Sequence, residues 1–283
     1  MKTSSVCALL GAVASAALLT MSAVPASAAD LGYGSVKDIP PPAPSGRAWY
    51  LRGTIGMSNS NAGSIWAEEF ASGTVIVHHK DIKSSPLFGF GIGVEHSRWL
   101  RFDITGEYRG KQHFVAHDTY DNRGPGEACN DGDPGELCGA NDHSANLSTW
   151  LGLANAYVDL GTWHGVTPYV GGGVGFATIT TMGYKDVNVV SNGFWLADKD
   201  KTTTNFAWAL YAGLAYDVTP QLTLDFGYRY TDLGTVKTGA GAAYNGGVPG
   251  QGIEIRDITS HDLLLTARYR LGGHQPMYPV AFK

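Results

Sequence analysis

Eight amphipathic segments with a period of two, joined by gaps that alternate long and short, constrain this chain more than any other feature. The segments are residues 48–58, 86–96, 99–110, 147–160, 167–181, 204–217, 221–233 and 257–271. Between them lie 59–85, 97–98, 111–146, 161–166, 182–203, 218–220 and 234–256. An even number of strands with tight turns at one end and long loops at the other describes an antiparallel up-and-down sheet.

The period is cleanest in 99–110, where Leu100, Phe102, Ile104 and Tyr108 alternate with Arg101, Asp103, Thr105, Glu107 and Arg109. In 221–233, Leu222, Leu224, Phe226, Tyr228 and Tyr230 oppose Thr223, Asp225, Arg229 and Thr231. A helix does not place polar residues at strict period two. Segment 147–160 alternates less well: Leu151 and Leu153 fall on its polar side, and a bulge would account for them.

Residues 1–28 read as a signal peptide, with Lys2, an apolar run from Val6 to Leu19, and the small-residue site Ala26-Ser27-Ala28. Cys7 lies far upstream of that site. Residues 29–47 hold Pro40-Pro41-Pro42-Ala43-Pro44 and read as an extended periplasmic leader. The barrel is expected over 48–271, with a tail at 272–283. Past residue 28, no run approaches the ~20 apolar residues that a spanning helix needs. A membrane protein of this kind spans with strands, and strands in lipid must close into a barrel. Without Lys2, 19 basic side chains face 25 acidic ones. No basic excess points to nucleic acid.

A secreted soluble barrel that binds apolar ligands would show the same alternation. Three features favour the membrane reading. Strands of 11–15 residues suffice to cross a tilted apolar band of ~25 Å. Aromatic residues recur near strand ends (Trp49, Tyr108, Trp150, Tyr169, Tyr216, Tyr228, Tyr230, Tyr269), as interfacial girdles require. The polar faces carry balanced charge: Arg52, Arg101, Arg109, Arg229, Arg268 and Arg270 against Glu95, Asp103, Glu107, Asp159, Asp225 and Asp262.

Charges in a narrow lumen must be paired, and arginine pairs carboxylates bidentately. The interior of an eight-stranded barrel is just wide enough for side chains to fill. The expectation is a salt-bridged, largely plugged lumen in which Asp225 and Arg229 are coupled. Inward glycines, Gly89, Gly91 and Gly93 with Gly171, Gly173 and Gly175, leave room for long side chains from opposite strands.

Three stretches carry a resemblance: Trp99 to Arg109; Leu153 to Trp163 continued by Thr167-Pro168-Tyr169-Val170-Gly171; and Asp225 to Tyr230 with Leu233-Gly234. They resemble strand motifs of small alphaproteobacterial outer-membrane β-barrel proteins, and the leader after Ala29-Asp30-Leu31 fits too. The resemblance implies an eight-stranded barrel of the outer-membrane-protein-A or X type, a surface antigen, envelope-integrity or porin-like protein. It also implies outer-membrane lipid and lipopolysaccharide, periplasmic chaperones and the barrel-assembly machinery as partners, with an extracellular ligand reached through the loops. Where such barrels end in an aromatic residue, this strand ends in Leu271, with Tyr269 nearby.

Cys129 and Cys138 remain after maturation, and a pair in an exported protein reads as a disulfide. The loop 121–142 is acidic (Asp121, Glu127, Asp131, Asp133, Glu136, Asp142) but lacks EF-hand spacing. His113 and His117 suit a metal only on a helix, and His78, His79 and His143 read as loop residues, so no metal and no cofactor is expected. Ser260, His261 and Asp262 are adjacent on a strand and cannot form a catalytic set. No enzyme is expected. A structural or adhesive surface barrel is the main reading and a small channel the alternative.

Overall fold

The computed structural model describes residues 48–67, 74–121, 139–190, 193–244 and 252–271. The signal peptide, the leader, Cys129, Cys138, most of the acidic loop and the tail 272–283 lie outside them. Twelve strands form: β1 (Ala48–Asn61), β2 (Ser64–Trp66), β3 (Thr74–Ile82), β4 (Ser85–Glu95), β5 (Leu100–Asp121), β6 (Gly139–Asp159), β7 (Val166–Asn188), β8 (Phe194–Ala197), β9 (Lys201–Asp217), β10 (Leu222–Lys237), β11 (Gly241–Tyr244) and β12 (Glu254–Leu271).

Eight of them close a ring. β1 pairs with β4, then β5, β6, β7, β9, β10 and β12 follow in order, and β12 pairs back onto β1. Every pair is antiparallel, so no edge faces lipid. The short connections cap one end, closed by His96 N–H to Leu100 O, Leu160 N–H to Pro168 O and Val218 N–H to Leu222 O.

In this lower part the outer face is apolar. Phe90, Ile92, Ile104, Val174, Phe176, Leu210, Phe226 and Leu265 are all exposed. Trp49, Tyr216 and Tyr269 flank them at the short-turn end; Tyr108 and Trp150, with ring centroids 4.9 Å apart, flank them at the other. That is an apolar band between aromatic girdles. Tyr169 takes the inward place that its strand parity with Gly171, Gly173 and Gly175 gives it, and not a place in the girdle: it is buried in the lumen, beside Tyr157 and Arg101. Its neighbour Pro168, not Tyr169, takes the outward position.

The long gaps are not loops throughout. β2, β3, β8 and β11 arise within them, and β5, β6 and β7 run well past their expected ends. The ring thus rises into a sheet-walled tower on the long-loop side. Bulges hid this extension. Inward-facing buried residues normally sit two apart, but Arg109 and Gln112, Thr181 and Tyr184, Leu233 and Val236, and Ile255 and Ile258 are three apart. The registers shift at Arg109/Gln112 and around Gly234. Positive φ at Gly183 (57°), Gly234 (76°) and Asp257 (53°) makes these turns in the strand. The expected strands 99–110, 167–181, 221–233 and 257–271 each end at such a phase break.

Around the breaks the polarity inverts. Phe114, Leu147, Ile179, Leu233 and Ile258 fill the inside, while Thr178, Thr180, Thr202 and Thr204 line the outside. A wall in water buries apolar residues inward; a wall in lipid turns them outward.

Candidate functional site

The interior of the ring is the first candidate, because every side chain there needs a partner away from bulk water. It holds two ion clusters. Near the short-turn end, Arg52 Nη1 lies 2.6 Å from Asp103 Oδ2. Tyr50 OH and Asn155 Nδ2 donate to the same carboxylate, and Arg52 also donates to Tyr157 OH. Arg101 pairs with Asp159 at 3.1 Å and reaches Asp225 at 3.9 Å. Its guanidinium lies 4.5 and 4.6 Å from the ring centroids of Tyr157 and Tyr169. Arg268 grips Asp225 bidentately at 2.7 and 3.0 Å and approaches Glu95 at 3.6 Å. Arg270 pairs with Glu95 at 2.9 Å at the mouth.

The second cluster is a closed square. Arg109 and Arg229 each contact both Glu107 and Asp262: Arg109 at 3.2 and 3.0 Å, Arg229 at 2.7 and 2.7 Å. Ser58, Ser260 and Thr231 supply further hydrogen bonds. All twelve charged residues singled out from the sequence therefore stand in ion pairs. Asp225 and Arg229 do not pair with each other: Asp225 belongs to the lower cluster and Arg229 to the upper. Residues four apart on a strand share a face but stand about 13 Å apart along it, which puts them in different layers.

Leu151 and Leu153 are inward and buried with Leu87 and Leu264. No bulge displaces them; β6 keeps its register with both neighbours there. They are apolar filler beside the square. The inward glycines make room mainly for adjacent strands. A Cβ on Gly93 would strike the Tyr50 ring of β1, and one on Gly171 the Tyr157 ring of β6, each an aromatic lying across a glycine next door. A cavity of about 10 Å³, space for about one water, is lined by Arg52, Glu107, Tyr211 and Arg229 among others. Above it the lumen is packed with the apolar residues of the tower.

Tyr50, Asn155, Tyr157, Tyr211 and Asp217 also take part, Asn155 and Tyr157 from the polar side of segment 147–160. Their place on inward parity was the available signal. Asp217 reaches Arg270 at 3.7 Å from the end of β9.

The tower holds a buried polar cluster of its own. His143 of β6 has Nε2 2.6 Å from Asp118 Oδ2 of β5 and Nδ1 2.7 Å from Tyr184 OH of β7. Asp186 lies 3.8 Å away and accepts a hydrogen bond from Trp195 Nε1 of β8. Burial works against a charged imidazole, but the hydrogen bond to Asp118 and the nearby Asp186, Asp118 and Asp142 charges raise the His143 pKa above its ordinary value. Burial raises that of Asp186. His78, His79, His113, His117 and Asp142 also sit in strands rather than loops. No group of three His, Cys, Asp or Glu side chains among the described residues converges as a metal site. Ser260 and Asp262 face the lumen, while exposed His261 meets Tyr228 on the outer face.

The sequence profile described as "Outer membrane protein beta-barrel domain" matches residues 14–248. The chain belongs to this family. An uncharacterised protein of Brucella suis is 35% identical over 221 residues, covering 72% of this chain and 75% of that protein. The outer membrane protein PagN of Salmonella typhimurium is 24% identical over 196 residues, covering 66% and 75%. Among solved structures, OprG of Pseudomonas aeruginosa aligns over 80% of this chain and 97% of its own, with a TM-score of 0.48 and 10% identity. As a member of the outer membrane β-barrel family, the chain resides in the outer membrane. β12, which closes the ring, lies beyond the matched span.

Proposed function

We propose that this barrel is a closed surface scaffold with a structural or adhesive role, and that its specificity resides in the extracellular tower rather than in the lumen. The filling of the lumen carries this reading. Two paired ion clusters occupy the membrane part, and an apolar stopper that includes Phe114, Leu147, Ile179 and Leu233 sits above them. An ion entering this path would have to displace buried ion pairs and then cross a dry layer, and both steps are costly.

The fold uses its membrane part as an anchor and its tower as the exposed surface. Lipid and lipopolysaccharide surround the first; an extracellular ligand would meet the second. The test is swelling of liposomes that contain the refolded, signal-free protein, in solutions of small sugars. The reading expects no swelling above that of empty liposomes. Swelling on the scale of an open pore would favour a small channel instead.

A further inference from the structure

The closed lumen makes no use of the histidines on the outside of the tower, and three of these stand together. β3 shifts register against β5 between Val77 and His79. Val77 packs on the core and Ile82 is buried in it, an odd spacing that the bulge absorbs. His78 and His79 are thereby both left on the solvent side, and both are exposed. His79 is directly opposite His117 of β5. Bulges re-aim side chains in this way.

The rings of His78 and His117 have centroids 5.9 Å apart and planes inclined at 38°. A metal ion bound by one nitrogen of each ring, at about 2.0–2.1 Å, sets two imidazole centroids roughly 5–6.5 Å apart. The two rings thus lie at a spacing compatible with a shared ion. His117 Nδ1 lies 2.7 Å from Asp142 Oδ1 of β6. A carboxylate there keeps the proton on Nδ1 and leaves Nε2 as a lone-pair donor, the orientation that second-shell carboxylates give to metal-binding histidines. His78 holds Thr119 Oγ1 through Nε2 at 2.7 Å. Its Nδ1 has no partner among the described residues.

We propose that His78 and His117, oriented by Asp142 and with His79 beside them, form an open, exchangeable surface site for a divalent transition ion. Imidazole donors select Cu²⁺, Ni²⁺ or Zn²⁺ over Ca²⁺ and Mg²⁺. With two protein nitrogens in place, water fills the other positions and the ion stays accessible from outside. A sequence search at helical spacing cannot find this site, because its ligands come from neighbouring strands.

The test titrates the refolded, signal-free barrel in detergent micelles with Cu²⁺, read by electron paramagnetic resonance. The proposal expects coupling to at least two imidazole nitrogens in the wild type. The double variant His78→Asn/His117→Asn should lose at least tenfold in affinity while keeping heat-modifiable gel mobility. Asp142→Asn should weaken binding about 10–100-fold, and His113→Asn, outside the cluster, should leave it unchanged. Wild-type binding without imidazole coupling would overturn the site. So would a folded double variant with wild-type affinity and coupling.

Discussion

Arg109 and Asp262, 153 residues apart in the chain, meet at 3.0 Å with no solvent exposure of either side chain. Arg229 meets the same carboxylate at 2.7 Å. One aspartate thus ties β5 to β12 across the barrel interior and holds the adjacent β10 at the same point. This geometry fixes which variants should be costly.

Asp262→Asn leaves two guanidinium groups short of their shared anion. It should destabilise the barrel by about 3–5 kcal/mol, measured by urea unfolding in lipid. Combining it with Arg229→Met should cost less than the sum of the single changes, with a coupling of roughly 0.5–3 kcal/mol. Strict additivity would mean that the square is not a unit. Asp225→Asn with Arg229→Met should be additive, because the two residues lie in different clusters.

The lipid-facing assignment rests on side chains such as Ile104, 67% exposed in the membrane part of β5. Ile104→Arg should cost about 2–4 kcal/mol near the bilayer midplane and reduce insertion. Thr180→Arg, on the polar outer face of the tower, should insert normally. Equal behaviour of the two would contradict the boundary between membrane and tower.

The tower should loosen as pH rises. The folded pKa of His143 lies above its ordinary value, so the folded state binds more protons than the unfolded one. Its contribution is fully present below the ordinary imidazole range of about 6.5 and is lost as pH climbs through the raised value. The raised pKa of Asp186 acts in the same direction. Amide exchange protection in β6 and β7 near His143 should fall as pH rises above about 6.5. His143→Gln should remove most of that dependence.

Cys129 and Cys138 are proposed to be bonded in the exported protein. Alkylation should add mass only after a reductant is present; labelling without reductant would mean free thiols.

The membrane part of this fold was legible because lipid outside and paired charge inside both follow period two. Arg101, Asp103, Glu107 and Arg109 announce one face and Phe102, Ile104 and Tyr108 the other. The tower was not legible, for two physical reasons. Bulges at Gly183, Gly234 and Asp257 break the phase, and the apolar face turns inward once the wall leaves the lipid. Leu151 and Leu153 looked out of phase because a lumen was expected to be wholly polar. It also needs apolar filler where no counter-charge is at hand. Partners within the lumen depend on strand stagger, which alternation does not encode, so Arg229 was matched with Asp225 rather than with Glu107 and Asp262.

The central claim is that the barrel is closed, and single-channel recording in a planar bilayer tests it most directly. The sample is refolded, signal-free protein whose gel mobility shifts on heating. The account predicts silence, or rare small flickers, across the physiological voltage range. A steady, ion-selective conductance would contradict it and would make Arg52, Glu107 and Arg229 the lining of a pore.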